Sequence, residues 1–334
     1  MLDLLIASHK GTYGVNFKEV GIADIAAMGT HFIVDRNVIE PGMLPNCVVI
    51  DATEENKSYE NIGPVIEQLL ALQLKRDSIL VAVGGGITQD ITCFIATTFM
   101  RGINWKFVPT TLLAQADSCI GSKSSINFGK TKNLLGSFTP PNEIVISSNW
   151  LSTLEEKDIN SGIGEIIKLY IIDGQDVSYD EIRNDLDAAV FNSLLIKKRF
   201  IEKDEFDKGI RQILNYGHCF GHAIESVTNF AIPHGIAVSM GMAVANQLAA
   251  QQGLVTHDEY SALLYDNYKD FARVSVDGQG VLSALTKDKK NTSSKINIIL
   301  PTGPDIVKQG FTPNDEFWAQ CKNALANVPF NVNL

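Results

Sequence analysis

Three of the six histidines in this chain lie within the seventeen residues from His218 to His234. His218 and His222 are four positions apart, so they share one face of a helix. His234 follows a turn marked by Pro233 and begins a second apolar run, so its side chain can converge on the other two. Converging imidazoles suit a divalent metal, zinc most readily. A pair of satisfied core histidines is the alternative, but glycines beside all three indicate room for a metal or another ligand.

A carboxylate on an apolar helical stretch offers a further metal ligand. Glu165 and Lys168 lie three positions apart, so they share a helical face. As an ordinary helical salt bridge, this pair would contribute about 0.2–0.5 kcal/mol. The neighbouring glycines and the hydrophobic helix favour Glu165 as the oxygen ligand that completes a set with His218 and His234. Three protein ligands with open positions are typical of a catalytic zinc, whereas structural zinc sites are usually closed by four.

Two features near the ends of predicted strands favour a nucleotide-like ligand. A buried strand ending at Val83 runs into Gly84, Gly85 and Gly86 and then into a helix. Glycine lets the backbone approach a pyrophosphate, whose charge is stabilised by the free N–H groups at the helix start. The spacing is not GxGxxG, so a purely structural turn remains open. Asp35 follows another strand, where a carboxylate often holds ribose hydroxyls.

The stretch 101–133 interleaves hydroxyls, amides and lysines with small and apolar residues. A solvated loop would explain the lysines but not the apolar residues between them, so we interpret it as an anion-accepting wall. Lys197 and Arg211 precede the histidine cluster, and Lys289 and Lys290 follow it. Each of these four could also be an ordinary surface base.

Composition sets limits on the class of protein. The chain has 334 residues, of which 45% are hydrophobic and 20% charged, as expected of a soluble globular protein with two domains. Its formal net charge of -10 argues against a nucleic-acid partner. Its apolar runs are shorter than the roughly 18 residues of a membrane span, and a secretory signal pattern is missing. Five scattered cysteines predict reduced thiols and a cytoplasmic location.

The hydrophobic pattern changes character half-way along the chain. The first half alternates β-rich runs with helical patterns, which predicts βαβ units and a parallel sheet. Its predicted strands are 31–34, 47–50, 79–83, 106–108 and 143–147, and its helices are 60–74 and 88–100. The second half predicts helices over 159–171, 186–203, 210–227, 235–251 and 259–271, and a late strand over 295–300 that caps a sheet edge. We predict domains 1–149 and 150–334, with a ligand cleft between them.

The ordered motifs closely resemble those of 3-dehydroquinate synthase and the wider sugar-phosphate cyclase superfamily. The motifs GGGxxxD, RG, PTTLLAQxDS, GxKxxIN, KN, GxxEIIK and LNxGHxFGHAIE…HG occur in family order between about residues 35 and 300. The resemblance implies a Rossmann-like, NAD-binding α/β N-terminal domain and an all-α C-terminal metal-binding domain, usually as a homodimer. It also implies an enzyme that oxidises a sugar phosphate with NAD, eliminates phosphate, returns the hydride and closes the ring by an aldol step.

The resemblance also implies roles for particular residues. The implied metal ligands, for zinc or cobalt, are Glu165, His218 and His234. The implied cofactor residues are Asp35, Asn37, Glu54, Lys57, Gly85, Gly86, Asp90, Thr110, Thr111, Asp117, Lys123, Lys132 and Thr153. The implied catalytic and substrate residues are Lys123, Asn133, Lys168, Lys197, Arg211, Asn215, His222, one of Lys289 and Lys290, and Arg101, which would reach the phosphate of the neighbouring subunit's substrate.

The chain departs from the family pattern at positions that bear on the identity of the substrate. The run 128–131 replaces the family's His-Pro-Leu-Gly, and with 139–141 it is closer to cyclases acting on sedoheptulose 7-phosphate. The opening run 7–13 is also unlike the family's usual hairpin. Against this, Lys197 and Arg211 match residues that take a substrate carboxylate, and an unpaired pocket arginine would cost about 1–3 kcal/mol. We therefore favour conversion of 3-deoxy-arabino-heptulosonate 7-phosphate to 3-dehydroquinate, a shikimate-pathway step, over a sedoheptulose 7-phosphate cyclase.

Two rival hypotheses come from other classes. A polyol dehydrogenase of the glycerol dehydrogenase type shares this architecture, but it would release NADH stoichiometrically and has less need of a lysine-rich pocket. An inactive homologue kept as a binding subunit is the second rival, although every expected ligand and base is present in the sequence.

Overall fold

The computed structural model describes residues 3–129, 131–255, 260–286, 294–303 and 305–334. Two compact units are formed, Met1–Glu155 with Lys197–Phe206, and Glu156–Ile196 with Asp207–Leu334. The division into domains at residues 149 and 150 stays a prediction. Lys289 and Lys290, and Glu259 at the start of a predicted helix, lie outside the described residues.

A mostly parallel sheet forms the centre of the first unit. Among the described residues it has seven strands in the order β1-β2-β9-β6-β5-β3-β4, with β1 antiparallel at one edge and the others parallel. The central strands are buried on both faces, which explains their continuous apolar sequences, such as Leu80–Val83 in β5. The strand bounds are β1 Asp3–Ser8, β2 Gly11–Phe17, β3 His31–Asp35, β4 Cys47–Ile50, β5 Ile79–Gly84, β6 Asn104–Pro109 and β9 Glu143–Ile146.

The remaining elements of the first unit connect these strands. The helices are α1 Ile22–Ala26, α2 Tyr59–Ala71 and α3 Gly86–Thr98, and an antiparallel hairpin is formed by β7 Lys123–Phe128 and β8 Thr131–Phe138. The polar stretch predicted as a wall is therefore β6, a π-helical turn over Ala114–Ser118 and β7. The opening run, unlike the family pattern in sequence, still forms a hairpin because Ser8 pairs with Gly11, whose φ is +110°.

The second unit is mainly helical. Its helices are α4 Glu156–Ile172, α5 Tyr179–Asn184, α6 Leu186–Ile201, α7 His218–Val227, α8 His234–Gln251, α9 Ser261–Tyr268, α10 Gly278–Leu285 and α11 Asp315–Ala326, and the last turn of α6 belongs to the first unit. Its strands are β10 Val276–Asp277, β11 Ile296–Thr302, β12 Asp305–Phe311 and β13 Val332–Asn333. The described helices include none with the length and hydropathy of a membrane span.

Two predictions for the second half were wrong in detail. The predicted helix 210–227 is a 3₁₀ turn over Ile210–Asn215 followed by α7, because Gly217 adopts a left-handed φ of +78° that ends the first segment. The predicted strand 295–300 caps no edge of the large sheet in the described chain. It forms β11, which pairs with β12 in a separate antiparallel hairpin.

Helix α8 is buried along nearly its whole length, and two helices approach it closely at glycines. A side chain at Gly235 would overlap the carbonyl oxygen of Ser161 in α4, and one at Gly164 would overlap that of Gly235. The Gly235 N–H donates to Ser161 Oγ at 3.0 Å. On α7, a Cβ at Gly221 would lie 3.0 Å from the Ala237 carbonyl oxygen. These glycines therefore serve helix packing, and the sequence interpretation that they make room for a ligand was wrong.

Substitution of one packing glycine tests this account. We expect Gly235→Ala to lower the free energy of unfolding by about 1–3 kcal/mol, because α4 and α8 must separate to admit the methyl group. Gly63→Ala in α2 is the matched control. No described atom lies within 4 Å of its added Cβ, so alanine should raise stability by about 0.5–1 kcal/mol. Urea unfolding of both variants is the measurement, and equal effects at the two positions would contradict the close approach.

Candidate functional site

In the second unit, two histidine side chains converge on one carboxylate oxygen. His234 Nε2 lies 3.3 Å from Glu165 Oε1, and His218 Nε2 lies 3.6 Å from the same atom. Two ligands of a tetrahedral zinc, each about 2.0–2.1 Å from the ion, stand about 3.3–3.4 Å apart. The spacing of these three predicted metal ligands therefore fits a shared divalent ion, although the assignment of a metal stays a prediction.

The outer nitrogens of both imidazoles are held by hydrogen-bond acceptors. His234 Nδ1 lies 3.1 Å from Glu225 Oε2, and His218 Nδ1 lies 3.2 Å from the Tyr216 carbonyl oxygen. When Nδ1–H donates to these acceptors, the Nε2 lone pair is directed toward Glu165, as in metal-binding histidines. Desolvation lowers the pKa of His234, but hydrogen bonds to Glu165 and Glu225 raise it more, to about 10. A metal would therefore displace a proton from this imidazole.

A three-histidine set is the competing choice of metal ligands. One nitrogen each from His218, His222 and His234 lies within 4.8 Å of the others. The ring of His222 is stacked on that of His234, with centroids 5.7 Å apart and planes 26° apart. Glu165 Oε1 lies 3.3 and 3.6 Å from the Nε2 atoms of His234 and His218, and we keep it as the predicted third ligand, with the exposed His222 beside the cluster.

The second oxygen of Glu165 is occupied by a cation. Lys168 Nζ donates to Glu165 Oε2, and the two side chains are 2% and 1% exposed. The two residues pair because they are three positions apart on a helix, as the sequence indicated. The pair still allows Glu165 to act as a metal ligand, because its other oxygen, Oε1, faces the histidines. Arg211 is also buried, in the turn before α7, where Asn215 Nδ2 donates to the Gln212 carbonyl oxygen at 3.0 Å.

In the first unit, the predicted cofactor residues share one position in the fold. They follow the carboxyl ends of the parallel strands, where open α/β sheets bind ligands. Asp35 ends β3, Glu54 and Lys57 follow β4, Gly85 and Gly86 follow β5, Thr110 and Thr111 follow β6, and Thr153 follows β9.

The loop after β5 has the features of an anion-binding turn. The N-cap residue of α3 is Gly85, which makes no side-chain cap hydrogen bond, and the first N–H groups of a helix are the donors that bind anions. A Cβ at Gly85 would lie 3.0 Å from Thr111 Cγ2, so this backbone must stay close to the loop after β6. A Cβ at Gly86 would have its nearest neighbour at 3.6 Å, which is ordinary contact. The strand, the glycines and the free helix start fit a pyrophosphate.

A buried lysine connects several predicted site residues. Lys57 Nζ donates to Asp90 Oδ2 at 3.1 Å and to Asn133 Oδ1 at 2.8 Å, and it lies 3.8 Å from Glu54 Oε2. Asn127 completes this network, since its Nδ2 donates to Glu54 Oε1 at 2.9 Å and its Oδ1 accepts the Asn133 N–H at 2.8 Å. The sequence motifs alone indicate no role for Asn127 or Glu225, although both residues lie inside them.

Other predicted residues lie at the edges of this arrangement. The Asn37 N–H donates to Asp35 Oδ1 at 3.0 Å, and the exposed Thr153 hydroxyl donates to the Trp150 carbonyl oxygen at 3.3 Å. Lys132 is exposed, with Nζ 3.8 Å from Glu54 Oε1.

Three basic residues complete the predicted set in the first unit. Lys197 Nζ lies 2.5 Å from both the carboxylate and the carbonyl oxygen of Asp117. Lys123 is exposed at the start of β7. Arg101, also exposed, has φ of +69° in the turn before β6. It therefore lies near the amino end of β6, whereas the predicted cofactor loops follow the carboxyl ends of the strands.

Comparisons with known proteins agree over most of the chain. The family description 3-dehydroquinate synthase N-terminal matches residues 47–161, and 3-dehydroquinate synthase C-terminal matches residues 162–291. The chain is 36% identical over 273 residues to a 3-dehydroquinate synthase of Alkaliphilus oremlandii, covering 78% of this chain and 75% of that protein. It is 39% identical over 269 residues to one of Acetivibrio thermocellus, covering 76% and 74%.

A solved structure confirms the predicted fold class. The crystal structure of 2-deoxy-scyllo-inosose synthase complexed with carbaglucose-6-phosphate, NAD+ and Co2+ matches with a TM-score of 0.84. The match covers 96% of this chain and 98% of that protein at 22% sequence identity. At this identity the likeness establishes the fold, an α/β unit together with a helical unit.

Glu225 provides a test of the metal site. We expect Glu225→Ala to weaken zinc binding by about 10–100-fold, because His234 loses the acceptor that fixes its tautomer and ring orientation. Competition with a chromogenic chelator measures the affinity. Asp266→Ala, at an exposed carboxylate of the same unit, is the control and should leave the affinity unchanged. Equal affinities for the two variants would contradict an orienting role for Glu225.

The Lys57 network provides a pH-dependent test. Burial raises the pKa of Asp90 above its ordinary value of 3.8, while the charge and hydrogen bond of Lys57 lower it. Without Lys57 the folded-state pKa of Asp90 rises further. A carboxyl whose pKa is higher in the folded than in the unfolded chain destabilises the fold as the pH rises above its unfolded-state pKa. We expect Lys57→Met to destabilise the fold by about 2–3 kcal/mol at pH 7. This is less than the loss expected when one partner of a fully buried ion pair is removed.

The deficit of Lys57→Met should shrink as the pH falls from 7 through the raised folded-state pKa of Asp90 toward its ordinary value of 3.8, because the buried carboxyl is then protonated in the folded variant. Urea unfolding at several pH values checks this expectation. Lys75→Met, at an exposed lysine of the same unit, is the control and should show little deficit at any pH. A deficit for Lys57→Met that is independent of pH would overturn the assignment to Asp90.

Proposed function

The chain belongs to the 3-dehydroquinate synthase family, and from this membership we propose that it is a sugar-phosphate cyclase that uses NAD and a divalent metal, zinc or cobalt. It is thus an enzyme of the carbon–oxygen lyase type. The observation that carries the proposal is the convergence of His218 and His234 on Glu165 Oε1, with both outer nitrogens held. The similar 2-deoxy-scyllo-inosose synthase was crystallised with NAD+, Co2+ and a sugar-phosphate analogue, which supports the same classes of ligand here.

We assign the metal and NAD to different groups of the residues described above. Glu165, His218 and His234 would hold the metal, and the loops after β3, β5 and β6 would hold NAD, with Asp35 at the ribose and Gly85 and Gly86 at the pyrophosphate. When bound, the metal polarises substrate oxygen atoms as a Lewis acid, and NAD accepts and later returns a hydride.

The chain's own residues would bind, orient and exchange protons with the substrate. Lys168 keeps the buried Glu165 carboxylate neutralised and oriented, and it presents a cation beside the metal ligands. Within the first unit, Lys123 and Lys197 supply positive charge for the anionic groups of the substrate. The exposed imidazole of His222 is not among the three proposed ligands, and its ring centroid is 5.3 Å from that of His218. An imidazole nitrogen there can take a proton from a substrate hydroxyl or return it.

A buried guanidinium supports a carboxylated substrate. Arg211 is 4% exposed, in the turn directly before the helix that carries His218. Arginine binds a carboxylate with two parallel hydrogen bonds, whereas a sedoheptulose-type sugar has no carboxylate to bind. The substrate we propose is therefore 3-deoxy-arabino-heptulosonate 7-phosphate, and the product is 3-dehydroquinate. The atypical run 128–131 keeps sedoheptulose 7-phosphate as the second candidate.

The position of Arg101 supports a homodimer. It lies at the amino end of β6, away from the loops that would hold NAD at the carboxyl ends of the same sheet. Arg101 is exposed, so it is available to a second copy of the chain. We therefore propose that it binds the substrate phosphate of the partner subunit.

The decisive test is an assay with NAD, zinc or cobalt and 3-deoxy-arabino-heptulosonate 7-phosphate. We expect inorganic phosphate and 3-dehydroquinate to appear in equal amounts, with no net NADH at 340 nm, because each turnover would return its hydride. Phosphate release from sedoheptulose 7-phosphate alone would keep the reaction class and change the substrate. Stoichiometric NADH from a plain polyol would instead support a dehydrogenase.

Arg211 gives this test a control within the chain. Arg211→Lys should raise KM for the carboxylated sugar about 10-fold or more, because lysine cannot form the paired hydrogen bonds of a guanidinium. Arg183→Lys changes a partly exposed arginine of the same unit, bonded to Glu156, and should leave KM unchanged. Equal KM values for the two variants would remove the support for a carboxylate.

A further inference from the structure

Two glutamates near the end of α6 hold the tip of the β1–β2 hairpin. Glu202 Oε1 accepts the Ala7 N–H at 2.8 Å, and Glu205 Oε2 accepts the His9 N–H at 2.7 Å. All four residues belong to the first unit. The segment 197–206 is therefore fastened to the opening hairpin, the part of the chain whose sequence departs from the family pattern.

Glu205 also reaches a second loop. Its Oε1 accepts a hydrogen bond from Ser122 Oγ at 2.6 Å, and His9 Nδ1 lies 3.1 Å from the same oxygen. The side chain of Glu205 is 11% exposed. Desolvation raises the pKa of this carboxyl, but hydrogen bonds from Ser122 and His9 lower it more, so it stays below its ordinary range. An ionised carboxylate with three donors around it makes strong, short hydrogen bonds.

The loop that Glu205 contacts has an unusual backbone and leads directly into a predicted substrate residue. Gly121 has φ of +104° and Ser122 of +64°, a left-handed conformation that serine seldom adopts. Tyr13 Oη accepts the Gly121 N–H at 3.2 Å, and the Ser122 carbonyl accepts the Thr139 N–H at 2.8 Å. Lys123 comes next and begins β7, so the conformation of Ser122 sets the direction in which Lys123 leaves the turn.

The segment that carries Glu205 also carries Lys197, eight residues earlier. Lys197 is fixed by its contacts with Asp117, at 2.5 Å. Glu205 thus joins the backbone that precedes Lys123 to the backbone that follows Lys197. The two lysines come from distant parts of the sequence, and this carboxylate bridges the segments that hold them.

We propose that Glu205 is a positioning residue that fixes the Gly121–Lys123 turn against the 197–206 segment and so sets the placement of Lys123 and Lys197 for an anionic substrate. This role rests on the proposed function, because it assigns substrate binding to the two lysines. Glu205 itself contacts no reacting atom in this role. It acts through hydrogen bonds to Ser122 and His9.

Substitutions can distinguish the positioning of the Gly121–Lys123 turn from simple anchoring of the β1–β2 hairpin. Glu205→Met has a side chain of similar length but accepts no hydrogen bond from Ser122 or His9, whereas Glu205→Gln can still accept from the His9 N–H and donate to Ser122 Oγ. Glu202→Met is the matched control, since Glu202 anchors the same hairpin from the same segment through Ala7. Ser122→Ala removes the bridging hydrogen bond from its other side.

Steady-state kinetics of the full-length enzyme with 3-deoxy-arabino-heptulosonate 7-phosphate give the first readout. We expect KM to rise about 10-fold in Glu205→Met, to recover most of the way in Glu205→Gln, and to stay within 2-fold in Glu202→Met. Ser122→Ala should raise KM, and the double variant with Glu205→Met should add little further increase. Partial unfolding lowers the apparent kcat but leaves KM, so a merely structural role would not give this pattern. Equal KM in Glu205→Met and wild type would overturn the proposal.

Amide hydrogen exchange gives a readout that needs no substrate. Residues 121–123 should exchange at least 10-fold faster in Glu205→Met than in wild type, while Glu202→Met leaves them unchanged. Unchanged exchange there would overturn the positioning role, whatever the kinetics. A wild-type enzyme that turns over neither sugar phosphate would instead count against the proposed function, and exchange would still report on the turn.

Discussion

The site in the second unit depends on how closely α4 and α7 approach α8. At Gly164 and Gly235, the backbones of α4 and α8 meet with no space for a side chain between them. The residues next to these glycines are Glu165 and His234, so the contact that brings the helices together also brings the carboxylate within 3.3 Å of an imidazole. A methyl group at either glycine would therefore push apart the two backbones that carry these side chains.

The interface of α7 with α8 adds the second imidazole by the same means. Gly217 and Gly221 bring the start of α7 against Val238 and its neighbours in α8, and His218 lies between these two glycines. The left-handed φ of Gly217 ends the preceding turn, so that His218 occupies the first position of α7. Small residues at helix crossings are usually explained by stability. Here the same residues also determine which polar side chains can face one another.

Charge pairing is a second organising feature, common to both units. The chain is acidic overall, yet three buried lysines, Lys57, Lys168 and Lys197, are each held against a carboxylate. Burying each pair costs free energy, because two charges are removed from water. Such a pair is useful where the lysine must stay charged and oriented to bind an anion. A phosphate or carboxylate ligand would meet cations whose positions are already fixed, and this reduces the ordering cost of binding. The negative net charge therefore does not conflict with an anionic substrate.

The sequence allowed the sheet and most helix positions to be predicted, because apolar periodicity is local. The assignment of Glu165, His218 and His234 as metal ligands stays a prediction, and the structure brings these three side chains close together. Non-local features were not predictable in this way. Polar side chains in 123–138 gave no signal of the β7–β8 pairing, and Asn127 and Glu225 acquire their partners only when distant segments meet. The opening hairpin is the clearest case, since an atypical sequence gives a hairpin whose tip is bonded by Glu202 and Glu205. Motif agreement thus indicates the reaction class more firmly than the substrate, because the predicted anion-accepting wall is built from such non-local contacts.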